Sequence, residues 1–195
     1  MKYRKLGRTG LMVSEIGFGA WGIGGEWGSR DDNEAIAAIN RAMDLGVNFI
    51  DTAAGYGGGH SERLIARAFR ERGEKCYVAS KVNPKNWKWP ALPDVPVSEV
   101  FPRDHIIKTV EQSLRNLEMD CLDLIQLHAW TDRYNYELEW YEAFLELKDQ
   151  GKIRYFGVSV NDWDPYGGVN LVKTGRVDTI QVIYNIFEQR PAEQL

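Results

Sequence analysis

Two cysteines and three histidines are all that this 195-residue chain offers to a disulfide or a soft metal. Cys76 and Cys121 each open an expected strand and share no ligand-like spacing with the histidines, so buried reduced thiols are expected and no metal site. Long apolar runs are missing as well. None approaches the roughly 20 residues that cross a bilayer, and the opening MKYRKLGRTG lacks the apolar stretch of a signal peptide. A cytoplasmic protein with no membrane partner is the expectation. Basic blocks are also absent: the net charge is -4, and RERGEK at 70–75 mixes signs like a solvated helix end. A nucleic-acid surface would need clustered Lys and Arg to neutralise phosphates, so that class of partner is excluded. With 44% hydrophobic and 27% charged residues, the chain has enough apolar content for one globular domain over residues 1–195.

What is present is a repeated unit: an amphipathic stretch, a glycine suited to a left-handed cap, then a short β-branched or aromatic run. DDNEAIAAINRAMDLG leads to Gly46 and VNFIDT, and SERLIARAFRERG leads to Gly73 and KCYVASKV. ELEWYEAFLELKDQG leads to Gly151 and KIRYFGVSV, and DPYGGVNLVKTG leads to Gly175 and RVDTIQVIYN. Between them, PRDHIIKTVEQSLRNLEMD keeps Ile107, Val110, Leu114 and Leu117 at three-to-four spacing before CLDLIQLH. With EIGFGAWG as the first, six strands alternate with helices, and YRKLGRTGLMVSE ahead of them reads as a hairpin turning at Arg8-Thr9-Gly10.

Strands alternating with helices imply an α/β fold with a parallel sheet, doubly wound or closed as a barrel. A doubly wound sheet gathers its site at one switch point. Here polar and aromatic residues follow one strand after another: Trp21 and Trp27, Asp51 and Tyr56, Lys81, Trp87 and Trp89, His128 and Trp130, Asn161 and Trp163. That pattern favours a barrel with an aromatic-walled pocket at one end; the competing reading is that each Trp covers an end of the core. Two glycine motifs are decoys. Gly17-Phe18-Gly19-Ala20-Trp21-Gly22 matches GxGxxG, but IGGEWGSR follows where a dinucleotide fingerprint needs a helix at once. Tyr56-Gly57-Gly58-Gly59-His60-Ser61 lacks the Lys-Ser/Thr pair of a phosphate loop, and its glycines are expected to turn the chain with Ser61 as N-cap of the next helix.

Four strand-end residues carry chemistry: Asp51 and Tyr56 in IDTAAGYG, Lys81 in VASKV and His128 in LIQLHAW. Each alone has a plain reading as a turn aspartate, a loop aromatic, a surface lysine or a satisfied strand-end histidine. Together, at successive strands of a barrel, they share one small space. There an ammonium beside a phenol favours the phenolate, and a carboxylate holds the ammonium in place, so Tyr56 is suited to give a proton to a carbonyl oxygen near neutral pH.

At these residues the chain resembles the aldo-keto reductase family, through KLGRTGLMVSEIGFGAW, GVNFIDTAAGYGGGHSERLI, YVASKV, SLRNLEMDCLDLIQLH, IRYFGVSVND and IQVIYNIFEQRP. The resemblance covers nearly the whole chain. It implies a (β/α)8 barrel of the TIM type that reduces aldehydes or ketones with NADPH, without metal or flavin. The family's catalytic tetrad matches Asp51, Tyr56, Lys81 and His128, with Tyr56 as proton donor, Lys81 and Asp51 tuning it and His128 orienting the carbonyl. Ser159, Asn161 and Gln181 match positions that hold the nicotinamide carboxamide, and Ala20 and Trp21 match first-loop contacts, alongside Asp51. Many members read Ser-Asn where this chain has Ser159-Val160-Asn161.

The chain reads EQRPAEQL just after its sixth strand, so about six of eight βα units are expected and strands seven and eight are not. Such a barrel is incomplete, with open sheet edges that invite pairing with another copy or a further piece. Two other readings stand beside the reductase: an inert binding or assembly subunit, and a lyase forming a Schiff base on Lys81.

Overall fold

The computed structural model describes residues 1–25, 31–161, 164 and 166–195. The expected pocket tryptophans Trp27 and Trp163 lie outside the described residues.

Near-continuous apolar runs produce strands where two faces must be buried, and among the described residues six strands form one parallel sheet in chain order. They are β3 (Phe18–Gly19), β4 (Phe49–Asp51), β5 (Tyr77–Val82), β6 (Leu122–Leu127), β7 (Ile153–Ser159) and β8 (Thr179–Gln181). The sheet curls into a half-barrel. Its central pair β5 and β6 is in register from Ala79↔Leu124 to Val82↔Leu127, which brings the ends that carry Lys81 and His128 side by side. The connecting helices are α1 (Asp32–Asp44), α2 (His60–Arg72), a short α3 (Val97–Val100), α4 (Arg103–Leu117), α5 (Glu139–Asp149) and α6 (Val169–Thr174). Asp31 caps α1 by accepting from the backbone N–H of Asn33 at 2.8 Å, and α2 ends on Gly73 at φ +76°.

Ahead of the sheet, β1 (Tyr3–Lys5) and β2 (Met12–Ser14) form the expected antiparallel hairpin. It closes the end of the half-barrel opposite the site. Asn48, just before β4, accepts from Ser14 N at 2.7 Å and donates to Met12 O at 2.8 Å. Arg8 donates to Gly175 O at 2.7 Å and pairs with Asp178 at 3.3 Å, just before β8.

Between sheet and helices the core is unusually aromatic. Trp130 packs edge-on against Trp140 at 5.2 Å and Tyr134 at 5.6 Å, and Phe144 stacks near Phe156 at 5.2 Å. Trp130 is therefore a core residue, and the expectation that it walls the pocket is corrected: after β6 the chain turns inward toward α5, which supplies Trp140.

Three further expectations are revised. Ser61 is not an N-cap but lies inside α2, because Gly57, Gly58 and Gly59, at φ +58°, +59° and +82°, carry the backbone into the helix two residues earlier, with Gly59 at the cap. RVDTIQVIYN forms a strand only at Thr179–Gln181, since among the described residues its ladder is with β7 alone, from Gly157↔Thr179 to Ser159↔Gln181. Beyond it Ile186 and Phe187 are 79% and 92% exposed. The helix expected from DPYGGVNLVKTG starts only at Val169, because Gly167 and Gly168 occupy the preceding turn.

If the aromatic cluster anchors α5 to the sheet, Trp140→Ala should cost about 3–5 kcal/mol of stability. Urea denaturation at unchanged m-value measures it, and a loss below about 1 kcal/mol would contradict that packing role.

Candidate active site

β4 and β5 end in the two charged residues of the site. Lys81 alternates inward while its neighbour Ser80 points to the helices, where Ser80 Oγ donates to Glu62 at 2.6 Å and Asn116 donates to the same carboxylate at 2.8 Å. β5 is thus gripped by α2 and α4 just where Lys81 turns into the half-barrel. Lys81 is 2% exposed, and its Nζ donates to Asp51 Oδ2 at 2.7 Å and to Thr52 O at 2.8 Å. Burial lowers the lysine's pKa and the Asp51 carboxylate opposes that shift. Thr52 is held in turn: Ser61 Oγ donates to Ala20 O at 2.8 Å, which leaves Thr52 Oγ1 to donate to Ser61 Oγ at 2.9 Å.

Tyr56 sits in the loop between β4 and α2, with its N–H donating to Ala53 O at 3.1 Å. Lys81 Nζ lies 5.3 Å from the centre of its ring. Trp21 stacks beside Tyr56 at 6.3 Å, and the His128 ring stands edge-on to it at 5.7 Å. The loop depends on Gly55: a Cβ there would lie 1.9 Å from Asn83 Nδ2.

His128 follows β6 directly. Its N–H donates to Val82 O at 3.0 Å, its carbonyl accepts from Trp89 Nε1 at 2.8 Å, and its Nδ1 is 3.0 Å from Asn83 Oδ1. Burial, aided by the Lys81 charge, pushes its pKa down to about 3, so the imidazole is neutral near pH 7.

Two depressions meet at this ring. A cavity of about 420 Å³ is walled by Trp21, Tyr56, Trp87, Trp89, Asn83 and His128. Next to it a cleft of about 470 Å³ runs from His128 and Trp89 to Ser159, Asn161 and Gln181. Ser159 and Gln181 are paired across β7 and β8, and Gln181 Oε1 is buried without a hydrogen-bond partner among the described residues. Asn161 Nδ2 donates to Trp130 O at 2.7 Å, tying the loop after β7 to that after β6. Ala20 is buried in the rim, its N–H donating to Asp51 O at 2.8 Å. Asp51, Tyr56, Lys81 and His128 thus form one contiguous cluster, while Ser159, Asn161 and Gln181 stand along the adjoining cleft. Sequence reasoning missed Asn83 and Thr52, and read Ser61 only as an N-cap. Asn83 was within reach, being the polar residue two places beyond Lys81 in VASKVNP.

Elsewhere, Cys76 and Cys121 are free thiols, and burial raises Cys76 to about 12, which suits a structural role. Among the described residues there is no group of three or more His, Cys, Asp or Glu placed to hold a metal ion. No helix among them is long and apolar enough to cross a membrane.

A curled parallel sheet with its polar cluster at the carboxyl ends of the strands defines a protein of the (β/α)-barrel class. Within that class, the aldo/keto reductase family profile matches residues 15–195, and the chain belongs to this family. The chain is 36% identical over 203 residues to aldo-keto reductase YhdN of Bacillus subtilis, covering 100% of itself and 57% of that relative. It superposes on the holo form of aldo-keto reductase AKR11C1 from Bacillus halodurans with TM-score 0.76 and 33% identity, covering 99% of itself and 61% of that chain. It is also similar to an aldo-keto reductase from Klebsiella pneumoniae in complex with NADPH, with TM-score 0.71, 30% identity and coverage of 94% and 58%. The chain spans about three fifths of the length of these relatives.

The depressed His128 pKa has a measurable sign. Below about pH 6.5 the unfolded chain binds a proton that the folded ring refuses, so this contribution is full above pH 6.5 and is lost as pH falls toward 3. Urea denaturation at pH 7 and pH 4.5 should show a shallower acid loss in His128→Gln than in wild type; identical losses would contradict a buried neutral imidazole.

Proposed function

We propose that the protein reduces an aldehyde or ketone to the alcohol with hydride from NADPH, using Tyr56 as proton donor. The observation that carries this reading is the buried Lys81 ammonium, pinned by Asp51 and the Thr52 carbonyl and facing the Tyr56 ring. Bound reduced nicotinamide supplies the hydride to the carbonyl carbon. Tyr56 gives its proton to the carbonyl oxygen, and Lys81 stabilises the phenolate left behind until solvent returns a proton. His128, neutral and across the cavity, positions the oxygen-bearing end of the substrate. Trp21, Trp87 and Trp89 offer apolar aromatic walls that match an uncharged carbonyl compound.

The residues along the adjoining cleft fit a carboxamide. Gln181 Oε1 is a buried acceptor still open to an amide N–H, and the Ser159 hydroxyl stands beside it. Asn161 has its amide nitrogen committed to Trp130 O and keeps Oδ1 as an acceptor. Ala20, Trp21 and Asp51 would complete this set at the rim of the site. NADPH is taken as the cofactor by analogy with the Klebsiella pneumoniae neighbour, which is in complex with it.

Lys81 as a Schiff-base nucleophile is disfavoured, because two of its three N–H bonds are engaged and it is 2% exposed. We further propose that the 195-residue chain self-associates through the β8 edge and the exposed Ile186 and Phe187 beyond it. Sedimentation should then show an average mass that rises with concentration; a monomer at every concentration would oppose this.

The test of the reaction is NADPH oxidation with a panel of aldehydes and ketones. Tyr56→Phe should lower kcat by about 10²-fold or more while Trp fluorescence quenching by NADPH is retained. Equal rates for the two proteins would remove Tyr56 as the acid.

A further inference from the structure

The three histidines of this chain differ in which ring nitrogen meets a partner. His60 directs Nε2 at Asp32 Oδ1, 2.8 Å away, and His105 directs Nε2 at the Asn83 backbone carbonyl, 2.7 Å away. Both partners accept only, so both rings carry their shared proton on Nε2. His128 is the reverse: its contact is through Nδ1, with the side-chain oxygen of Asn83 at 3.0 Å. An amide oxygen cannot donate, so Nδ1 of His128 must carry the proton.

Asn83 is built to make this contact. It is buried beneath the cavity, and its backbone is anchored from α4 by His105. The amide nitrogen lies on the Gly55 side, since a Cβ on Gly55 would fall 1.9 Å from Nδ2 but 3.0 Å from Oδ1. The oxygen is thereby on the His128 side. The His128 backbone is held at both polar atoms, by Val82 O and Trp89 Nε1, and its ring is flanked edge-on by Tyr56 at 5.7 Å and Trp89 at 5.6 Å. A buried neutral ring has one N–H, and when Nδ1 holds it Nε2 is a lone pair.

We infer, resting on the reductase reading for the catalytic consequence alone, that Asn83 is a positioning residue that locks His128 as its Nδ1–H tautomer and presents Nε2 to the cavity as an acceptor. An acceptor at that place takes a hydrogen bond from a hydroxyl group, not from a bare carbonyl. The chemical class it recognises is therefore a hydroxyl: that of the alcohol form of the substrate, or one carried next to the carbonyl. His128 so placed favours hydroxy-carbonyl compounds over carbonyl compounds with no other polar group.

The decisive experiment is ¹⁵N NMR of the chain labelled at histidine. Wild type should show one ring, that of His128, with a protonated Nδ1 and a pyridine-type Nε2. That set should vanish in His128→Gln and redistribute between tautomers in Asn83→Leu, whereas Asn83→Asp, which still accepts, should keep it. Three rings of the Nε2–H kind in wild type, or an unchanged His128 ring in Asn83→Leu, would overturn the inference whether or not the chain reduces carbonyls. In turnover, Asn83→Leu should lower kcat roughly 10²-fold through misplacement of the ring, with the KM for NADPH unchanged and the activity partly restored by Asn83→Asp. Wild-type kcat/KM should favour an α-hydroxy aldehyde over its deoxy counterpart; the opposite ranking would overturn the substrate assignment while leaving the tautomer result intact.

Discussion

A single buried cation organises this protein. Lys81 lies inside the half-barrel at the end of β5, where an ammonium without partners would be driven to lose its proton. Asp51 and the Thr52 carbonyl, both from the end of β4, are what make it tolerable. That requirement fixes the relative placement of two strands, and through Thr52, Ser61 and the Ala20 carbonyl it reaches the loop after β3 and the first turn of α2. On the other face of β5, Ser80, Glu62 and Asn116 tie the same strand to two helices. The charge sits where three layers of support converge, and Tyr56 is the side chain that this charge faces.

The same charge acts on His128. Burial and Lys81 together keep the imidazole neutral, while Asp51 and the Thr52 carbonyl give the lysine its partners, although both groups come from adjacent strand ends. Division of labour follows from environment: one group holds charge, the other offers a hydrogen bond. Asn83 decides which kind. The aromatic residues around them do two separate jobs, with Trp21, Trp87 and Trp89 at the cavity and Trp130 and Trp140 in the core behind it.

Much of this was legible in the residues. The helix–glycine–strand unit gave the parallel sheet, and strand ends carrying Asp51, Lys81 and His128 pointed to one shared face, because a period-two pattern that ends in an ionisable group leaves few other places for it. Trp130 was read wrongly since a tryptophan after a strand has the same local signature whether it turns to the cavity or to the core; only α5, through Trp140, decides. Ser61 looked like a cap because Ser before a helical pattern usually is one, but three left-handed glycines did that work. Asn83 and Thr52 escaped notice because their roles are set by partners 45 and 9 residues away, at His128 and Ser61. The strand at RVDTIQVIYN is shorter than its β-branched pattern implied, since a strand needs a ladder as well as a propensity, and β8 is paired with β7 alone among the described residues.

The central claim is that the Lys81 ammonium makes Tyr56 a proton donor. It is tested most directly by comparing carbonyl reduction by wild type and Lys81→Met, a neutral side chain of similar length, with NADPH affinity measured alongside. The account predicts a fall in kcat of about 10²-fold or more at unchanged NADPH affinity. Turnover at the wild-type rate in the folded variant would contradict it.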